Sequence, residues 1–380
     1  MIDALNKRCI GCGACASVCP QNCIAMQQDK EGFYYPVIDA QKCIDCGACN
    51  RVCIAENTVY KQNSLAAYAA YSKNNEQREK SSSGAVFYEL AKYILDNNGV
   101  VFGAAFDADL SVKHICIDSI DDLNKLQTSK YVQSKTDGVF ANVKKLLKQE
   151  KQVLFVGTPC QCNALSLFLG KSYDNLLLVD FICHGVPSPL VWKKYLESLN
   201  IKNITCVNFR DKTFGWKNFS FSAKNISQEY KSVYSNNPYM KLFLSDLTLR
   251  LSCYDCTCKF PNKSSDITIG DLWGVENIAS EMNDDKGISL VVVNTQKGNG
   301  VLNTIFDNCI FKELDFNAAV KSNGLALRSP ALPENRKKLF NKLCAERVIN
   351  FDNLAKKYIK HPSLIKRIVK KIIRIIRRVL

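Results

Sequence analysis

CIGCGACASVCP, residues 9–20, and CIDCGACNRVCI, residues 43–54, are the stretches on which the reading of this chain turns. Cys9, Cys12, Cys15 and Cys19 in the first, and Cys43, Cys46, Cys49 and Cys53 in the second, follow the spacing of bacterial ferredoxins. Three close thiolates can wrap three irons of a cubane, small residues such as Gly11, Gly13 and Ala14 let backbone amides approach the sulfurs, and a remote cysteine completes the site. In two-cluster ferredoxins the fourth cysteine of each run serves the other cluster. The expected ligand sets are therefore Cys9, Cys12, Cys15 and Cys53, and Cys43, Cys46, Cys49 and Cys19. CxxC pairs also hold zinc, but eight cysteines in two matched runs, the first closed by Pro20, favour two [4Fe–4S] clusters. Ile54 stands where the second run would carry proline, and Cys23 is read as buried and unligated. Residues 1–60 are expected to form this dicluster domain, and the polar stretch 57–65 a linker.

At 380 residues the chain is too long for one core, so two or three domains are expected. The chain holds 19 cysteines but only three histidines, His114, His184 and His361, which argues against histidine-rich zinc or copper sites. No apolar h-region opens the sequence, so the cysteines read as metal-binding or redox groups of a cytoplasmic protein and not as a disulfide scaffold. No stretch approaches about 18 uninterrupted apolar residues, which excludes an ordinary spanning helix.

From residue 66 to about 330, strand-like and helix-like segments alternate. Residues 66–71, 100–106, 153–156, 176–182, 204–209, 267–269 and 288–294 read as strands, and residues 86–95, 139–149, 164–169 and 190–199 have helical spacing. The pattern predicts an α/β domain with a largely buried sheet, α+β overall once the dicluster domain is added. Four further cysteines lie on separate segments of it. Val153-Leu154-Phe155-Val156 runs into Gly157-Thr158-Pro159-Cys160-Gln161, a second apolar strand runs into Cys183-His184-Gly185, and Cys253 and Cys256 follow Arg250. Cysteines at strand ends can converge at one edge of such a sheet, where these folds place ligands.

With Ser82-Ser83-Gly84, Lys130-Tyr131-Val132-Gln133-Ser134 and Ser265-Asp266-Ile267-Thr268-Ile269-Gly270-Asp271-Leu272-Trp273-Gly274, these stretches resemble the β-subunit family of coenzyme F420 hydrogenases and dehydrogenases, preceded by a two-cluster ferredoxin domain. The resemblance covers roughly residues 1–330. It implies FAD and a further [4Fe–4S] cluster, with electrons passing between iron–sulfur centres and a deazaflavin or another reducible substrate. Carried over by position, the third cluster would use Cys160, Cys183, Cys253 and Cys256, with Cys162 and Cys258 as nearby competitors. Ser83 and Gly84, in a turn where the family often has two glycines and this chain has Gly84-Ala85, are expected near the flavin, or else form an ordinary helix cap. Gln133, Ser134 and Asp271 are the other flavin candidates. Arg210, Lys212, Trp216 and Lys217 match bacterial members and can hold an anionic substrate, or form a solvated hairpin. Lys217 and His184 are the catalytic candidates, His184 as a proton donor or as a structural histidine.

The formal charge of +15 is concentrated at one end: residues 351–380 carry ten Lys/Arg against Asp352 alone. Residues 331–380 are expected to be helical, and in residues 363–380 every apolar residue falls on one half of a helical wheel and every cation on the other. Such a helix suits an anionic membrane surface on the inner face of the membrane, or a protein partner; nucleic acid is disfavoured for want of interleaved aromatics. The sequence thus leads to an iron–sulfur flavoprotein oxidoreductase that takes electrons from ferredoxin or another redox protein and reduces a small molecule. The alternative is a non-catalytic electron-transfer subunit docked on a separate enzyme.

Overall fold

Eight strands order themselves around a run whose sequence is apolar at consecutive positions. In a computed structural model that describes residues 7–57 and 62–360, the strands are β1 (Ile24–Gln28), β2 (Tyr34–Ile38), β3 (Ala66–Ser72), β4 (Val100–Phe106), β5 (Val112–Ile117), β6 (Val153–Gly157), β7 (Leu176–Phe181), β8 (Cys206–Asp211), β9 (Ser220–Lys224), β10 (Glu229–Val233), β11 (Ile267–Asp271), β12 (Ser289–Val293) and β13 (Cys309–Leu314). The main sheet has the order β13-β3-β12-β11-β7-β6-β4-β5. β11, β7, β6 and β4 are parallel, and the strands flanking them pair antiparallel.

Both faces of the parallel run are covered, which is why β6 and the first four residues of β7 read as continuous apolar stretches. Leu154, Leu177 and Val179 pack on one face with the helix Val86–Asp96. Val153, Phe155, Leu176 and Leu178 pack on the other with the helices Val139–Lys148 and Pro159–Leu169. The α/β expectation holds. β5 and β13, which the alternation did not reveal, are the two edges of the sheet.

A second sheet, β10-β9-β8, carries an aromatic core of Trp192, Tyr195, Phe209, Phe221 and Tyr239. The helices Arg336–Ala345 and Phe351–Tyr358 add Leu339, Phe340, Leu343, Phe351 and Leu354 to it, so this core runs well past residue 330. The amphipathic segment 363–380 lies outside the described residues. Among those described, no helix is long and apolar enough to cross a membrane.

The dicluster segment docks through its β1–β2 hairpin. Phe33 is buried in the aromatic core, 6.2 Å from the Phe340 ring. Arg336 closes the contact with two bonds to the Glu31 carboxylate, at 2.6 and 3.2 Å. Gly32, at φ +84°, lies so near the helix Pro189–Ser198 that a Cβ would stand 2.6 Å from Leu190, hence no side chain is tolerated there.

Candidate iron–sulfur and cofactor site

Each cysteine run forms a loop and then a short helix, Ala14–Val18 or Ala48–Arg51. Gly13 and Gly47 enter these helices in the left-handed conformation, and Asp45 adopts it where the first run has Gly11. The two loops therefore share one backbone path. Cys12 is pushed up to about 12 by burial and then by Cys9 and Cys53. Cys15 is raised by burial and then by Cys12, Cys9 and Cys53. Cys53 thus joins the first three cysteines in space, which is the crossed arrangement. A small void is ringed by Cys19, Cys43, Cys46 and Cys49, and Cys23 reaches it too, its sulfur 3.3 Å from that of Cys19. Cys46 is exposed at this outer site, as is Ile44 beside it. Among the described residues, no three His, Cys, Asp or Glu side chains converge on a single ion. A four-iron cubane bonds its thiolates to different irons and does not ask them to converge on one point.

Cys160 and Cys183 stand just beyond the carboxyl ends of the neighbouring parallel strands β6 and β7. Thr158 caps the helix Pro159–Leu169 in a capping box with Gln161, and Pro159 occupies its first turn. The motif around Cys160 is therefore a capped helix start that fixes its thiol at the end of β6. Cys253 lies in the turn Leu251–Asp255, where its sulfur takes the Val186 amide at 3.4 Å. Cys160 is raised by burial and then by Cys256, Cys183 and Cys253, so the four sulfurs share one field. Cys256 is lowered to about 6, chiefly by its hydrogen bond with Cys258. Cys258 is thus part of this site, whereas Cys162 is fully buried and turned to the Val179 carbonyl at 3.6 Å.

A cavity of about 850 Å³ opens against these four cysteines, at the upper end of the range for cofactor sites. Its floor is the carboxyl edge of β6, β7 and β11. Opposite lies the turn 81–85, whose Ser83 hydroxyl donates to Ile288 O and whose Gly84 amide donates to Ser289 Oγ. These two predicted residues are bound to β12 and its approach. Ser83 lines the cavity and Gly84 does not; beside Ser83 the cavity meets the start of the helix Val86–Asp96, where Ala85 sits at φ +65° and no side chain caps the first amides. Free amides at a helix start beside a deep cavity fit the phosphates of a dinucleotide, and the thiolate set fits a cubane.

Several other predicted residues serve the walls. Gln133 lines the cavity, but its amide is spent on the dicluster loop: Nε2 donates to Ile10 O at 3.3 Å and Oε1 accepts from Tyr34 N at 3.4 Å. Ser134 lines it as well, 2.7 Å from His114 Nδ1. His114 Nε2 lies 3.1 Å from Val156 O, an acceptor only, so Nε2 carries the proton and Nδ1 accepts from Ser134. Burial holds this imidazole neutral, down at about 4. Asp271 is held by a bidentate pair with buried Arg210, at 2.6 and 3.1 Å, and by Trp216 Nε1 at 3.2 Å. Trp216 and Trp273 stack at 4.9 Å behind it. Arg210 leaves its buried Nε without a partner and lies against the cavity.

His184 lines the cavity, paired through Nε2 with Asp246 and packed on Phe243. Lys217 does not line it. Its amide is tied to Asp285, and its ammonium points outward to Glu276 at 3.1 Å, so the expected catalytic lysine is a surface residue. Lys212 is likewise occupied, donating to the carbonyls of Arg78, Ser83 and Lys286. The sequence reading passed over His114, which sits in an ordinary alternating strand, and Lys130, whose ammonium is held by the carbonyls of Lys125, Gln127 and Thr128 while burial pulls it down to about 7.

Residues 8–57 match the 4Fe-4S dicluster domain. Residues 150–317 match a family described as the C terminus of the beta subunit of coenzyme F420 hydrogenase/dehydrogenase. That stretch includes Cys160, Cys183, Cys253 and Cys256 but not the turn 81–85 or Gln133. A search of curated proteins found no match. Among solved structures, a chain of the F420-reducing [NiFe] hydrogenase complex from Methanosarcina barkeri aligns at 16% identity and a TM-score of 0.48, covering 77% of this chain and 92% of that one. The chain therefore carries a 4Fe–4S dicluster domain over residues 8–57 and, over residues 150–317, a domain matching the C terminus of the coenzyme F420 hydrogenase/dehydrogenase beta subunit.

Proposed function

We propose that the chain is an iron–sulfur flavoprotein oxidoreductase with three [4Fe–4S] clusters and one FAD. Cys9, Cys12, Cys15 and Cys53 would hold the inner N-terminal cluster, Cys19, Cys43, Cys46 and Cys49 the outer one, and Cys160, Cys183, Cys253 and Cys256 the third. The observation that carries this reading is one cavity with four neighbouring thiols on one wall and an uncapped helix start on the other. Flavin supplies the exchange between single electrons and a two-electron reduction. Electrons from ferredoxin or another redox protein would enter at the exposed Cys46 side.

The chain's own groups do the positioning. Uncapped amides of the helix Val86–Asp96 would take the pyrophosphate, and the Arg210–Asp271 pair and stacked tryptophans shape the wall beside it. His184, oriented by Asp246, is the group in the cavity suited to hand a proton to a reduced small molecule. The cationic segment 363–380 would rest on anionic membrane. Anaerobic purification with iron, sulfide and flavin measured together tests the reading: about 12 iron and one FAD per chain are expected from three four-iron clusters. About 8 iron and no flavin would overturn it.

A further inference from the structure

A buried cation without a carboxylate partner among the described residues stands where the two domains meet. Arg250 is fully buried, its Nε donates to Cys9 O at 2.7 Å and its Nη2 to Tyr34 O at 2.9 Å. The guanidinium lies 4.0 Å over the Tyr35 ring. All these partners belong to the dicluster segment. Its main chain belongs to the other side: the Arg250 amide donates to Val186 O at 3.0 Å, and the Arg250 carbonyl accepts from the Cys253 amide at 3.0 Å. Val186 in turn donates to Cys253 Sγ. One residue thus links the peptide of a ligand in the first run to the turn that presents Cys253.

The fit leaves little slack. A Cβ on Gly11 would lie 2.6 Å from Gln133 Nε2 and 3.2 Å from Arg250 Nη1. Among the described residues, the guanidinium's hydrogen-bond partners are carbonyl and amide oxygens, so a positive charge is buried beside both cysteine sets without a carboxylate to cancel it. A buried charge in a low-dielectric setting acts strongly on its surroundings. Here it favours whichever neighbouring site is reduced and more negative.

We infer that Arg250 is a positioning residue for electron transfer between the inner N-terminal cluster and the site of Cys160, Cys183, Cys253 and Cys256, holding the two loops in register and placing a fixed positive charge between them. The inference rests on the reading of those four cysteines as a third cluster. The step is a one-electron transfer: one site is oxidised as the other is reduced, and no bond forms or breaks. Lysine keeps the charge but cannot span two carbonyls with a planar fork, and glutamine removes the charge, so the two roles separate.

The test uses the full chain, loaded anaerobically, as wild type, Arg250→Lys and Arg250→Gln. Iron content, the electron paramagnetic resonance of the fully reduced protein, a redox titration and the rate of dye reduction after electrons are supplied are measured together. Arg250→Gln is expected to keep about 12 iron, to show altered spin–spin broadening and a lower first-cluster potential, and to deliver electrons about tenfold more slowly or worse, because a small misplacement is costly in rate. Arg250→Lys is expected to restore the potential but not the rate. Unchanged broadening, potential and rate in a fully loaded Arg250→Gln protein would overturn the inference. If that variant does not accumulate, wild-type broadening and rate in Arg250→Lys overturn it instead. Wild-type protein with about 8 iron would remove the third-cluster reading itself, a distinct result.

Discussion

Gly84 and Ala85 are neighbours in the turn beside the cavity, which Ala85 lines, and exchanging their residue types should have opposite effects. A Cβ on Gly84 would stand 2.4 Å from Ala70 O and 2.9 Å from Ser289 N. Ordinary contact begins near 3.4 Å, so the turn must move by about 1 Å. Both obstacles are backbone atoms of paired strands in the sheet interior and cannot yield. Overpacking of this kind costs about 1–3 kcal/mol, and losing the bond from Gly84 to Ser289 adds about 1 kcal/mol. Gly84→Ala should therefore destabilise by about 2–4 kcal/mol. It should also shift the uncapped amides that follow, and so deplete flavin. Ala85, at φ +65°, instead holds a left-handed conformation that penalises a side chain by about 1–2 kcal/mol. Ala85→Gly relieves this, less the added freedom of the unfolded chain, for a net gain of roughly 0.5–1 kcal/mol. Urea unfolding and flavin content of both variants check the pair. Wild-type stability with full flavin in Gly84→Ala, or a loss above about 1 kcal/mol in Ala85→Gly, refutes the argument.

Asp271→Asn leaves Arg210 buried without its counter-charge and should cost about 3–5 kcal/mol in urea unfolding, against little if the pair is only decorative. The unfolded His114 titrates near 6.5 and the folded one near 4. As pH falls through this window only the unfolded chain binds the proton, so stability should drop by about 3 kcal/mol in all. A His114→Asn variant with the same pH slope would count against that assignment. Cys256→Ser should lose about four iron per chain, whereas Cys162→Ser should lose none; equal iron in the two variants would contradict the ligand set. Vesicles containing anionic lipid should retain the full chain but not one ending at Tyr358, and equal retention would remove the membrane role of 363–380.

The dicluster loops were legible because ligation needs local spacing, and spacing is what a sequence displays. The parallel strands were legible because burial on both faces leaves Val153–Val156 and residues 176–179 apolar throughout. β5 and β13 were not, since an edge strand such as Val112–Ile117 mixes His114 and Lys113 into its apolar positions. Gln133 and Asp271, the flavin candidates, line the cavity with their side chains bonded to Ile10 and Arg210, and those partners, 123 and 61 residues away, leave no mark on the local sequence. Lys217 was misplaced for the opposite reason. Its motif neighbours Arg210 and Trp216 do point inward, and only the tie to Asp285 turns Lys217 out.

The ion pair between Glu31 and Arg336 spans 305 residues of chain. At a synthesis rate of roughly 5–20 residues per second, Arg336 follows Glu31 by about 15–60 s. The dicluster segment therefore exists for that interval without the ion pair that closes its hairpin. The late arrival of the Arg336 helix then closes the hairpin against the aromatic core. The last step of docking is separated in time from the others by the order in which the chain is made, and a chain cut short before residue 336 would keep the contacts of Arg250 and Gln133 with the dicluster segment while losing the one that closes its hairpin.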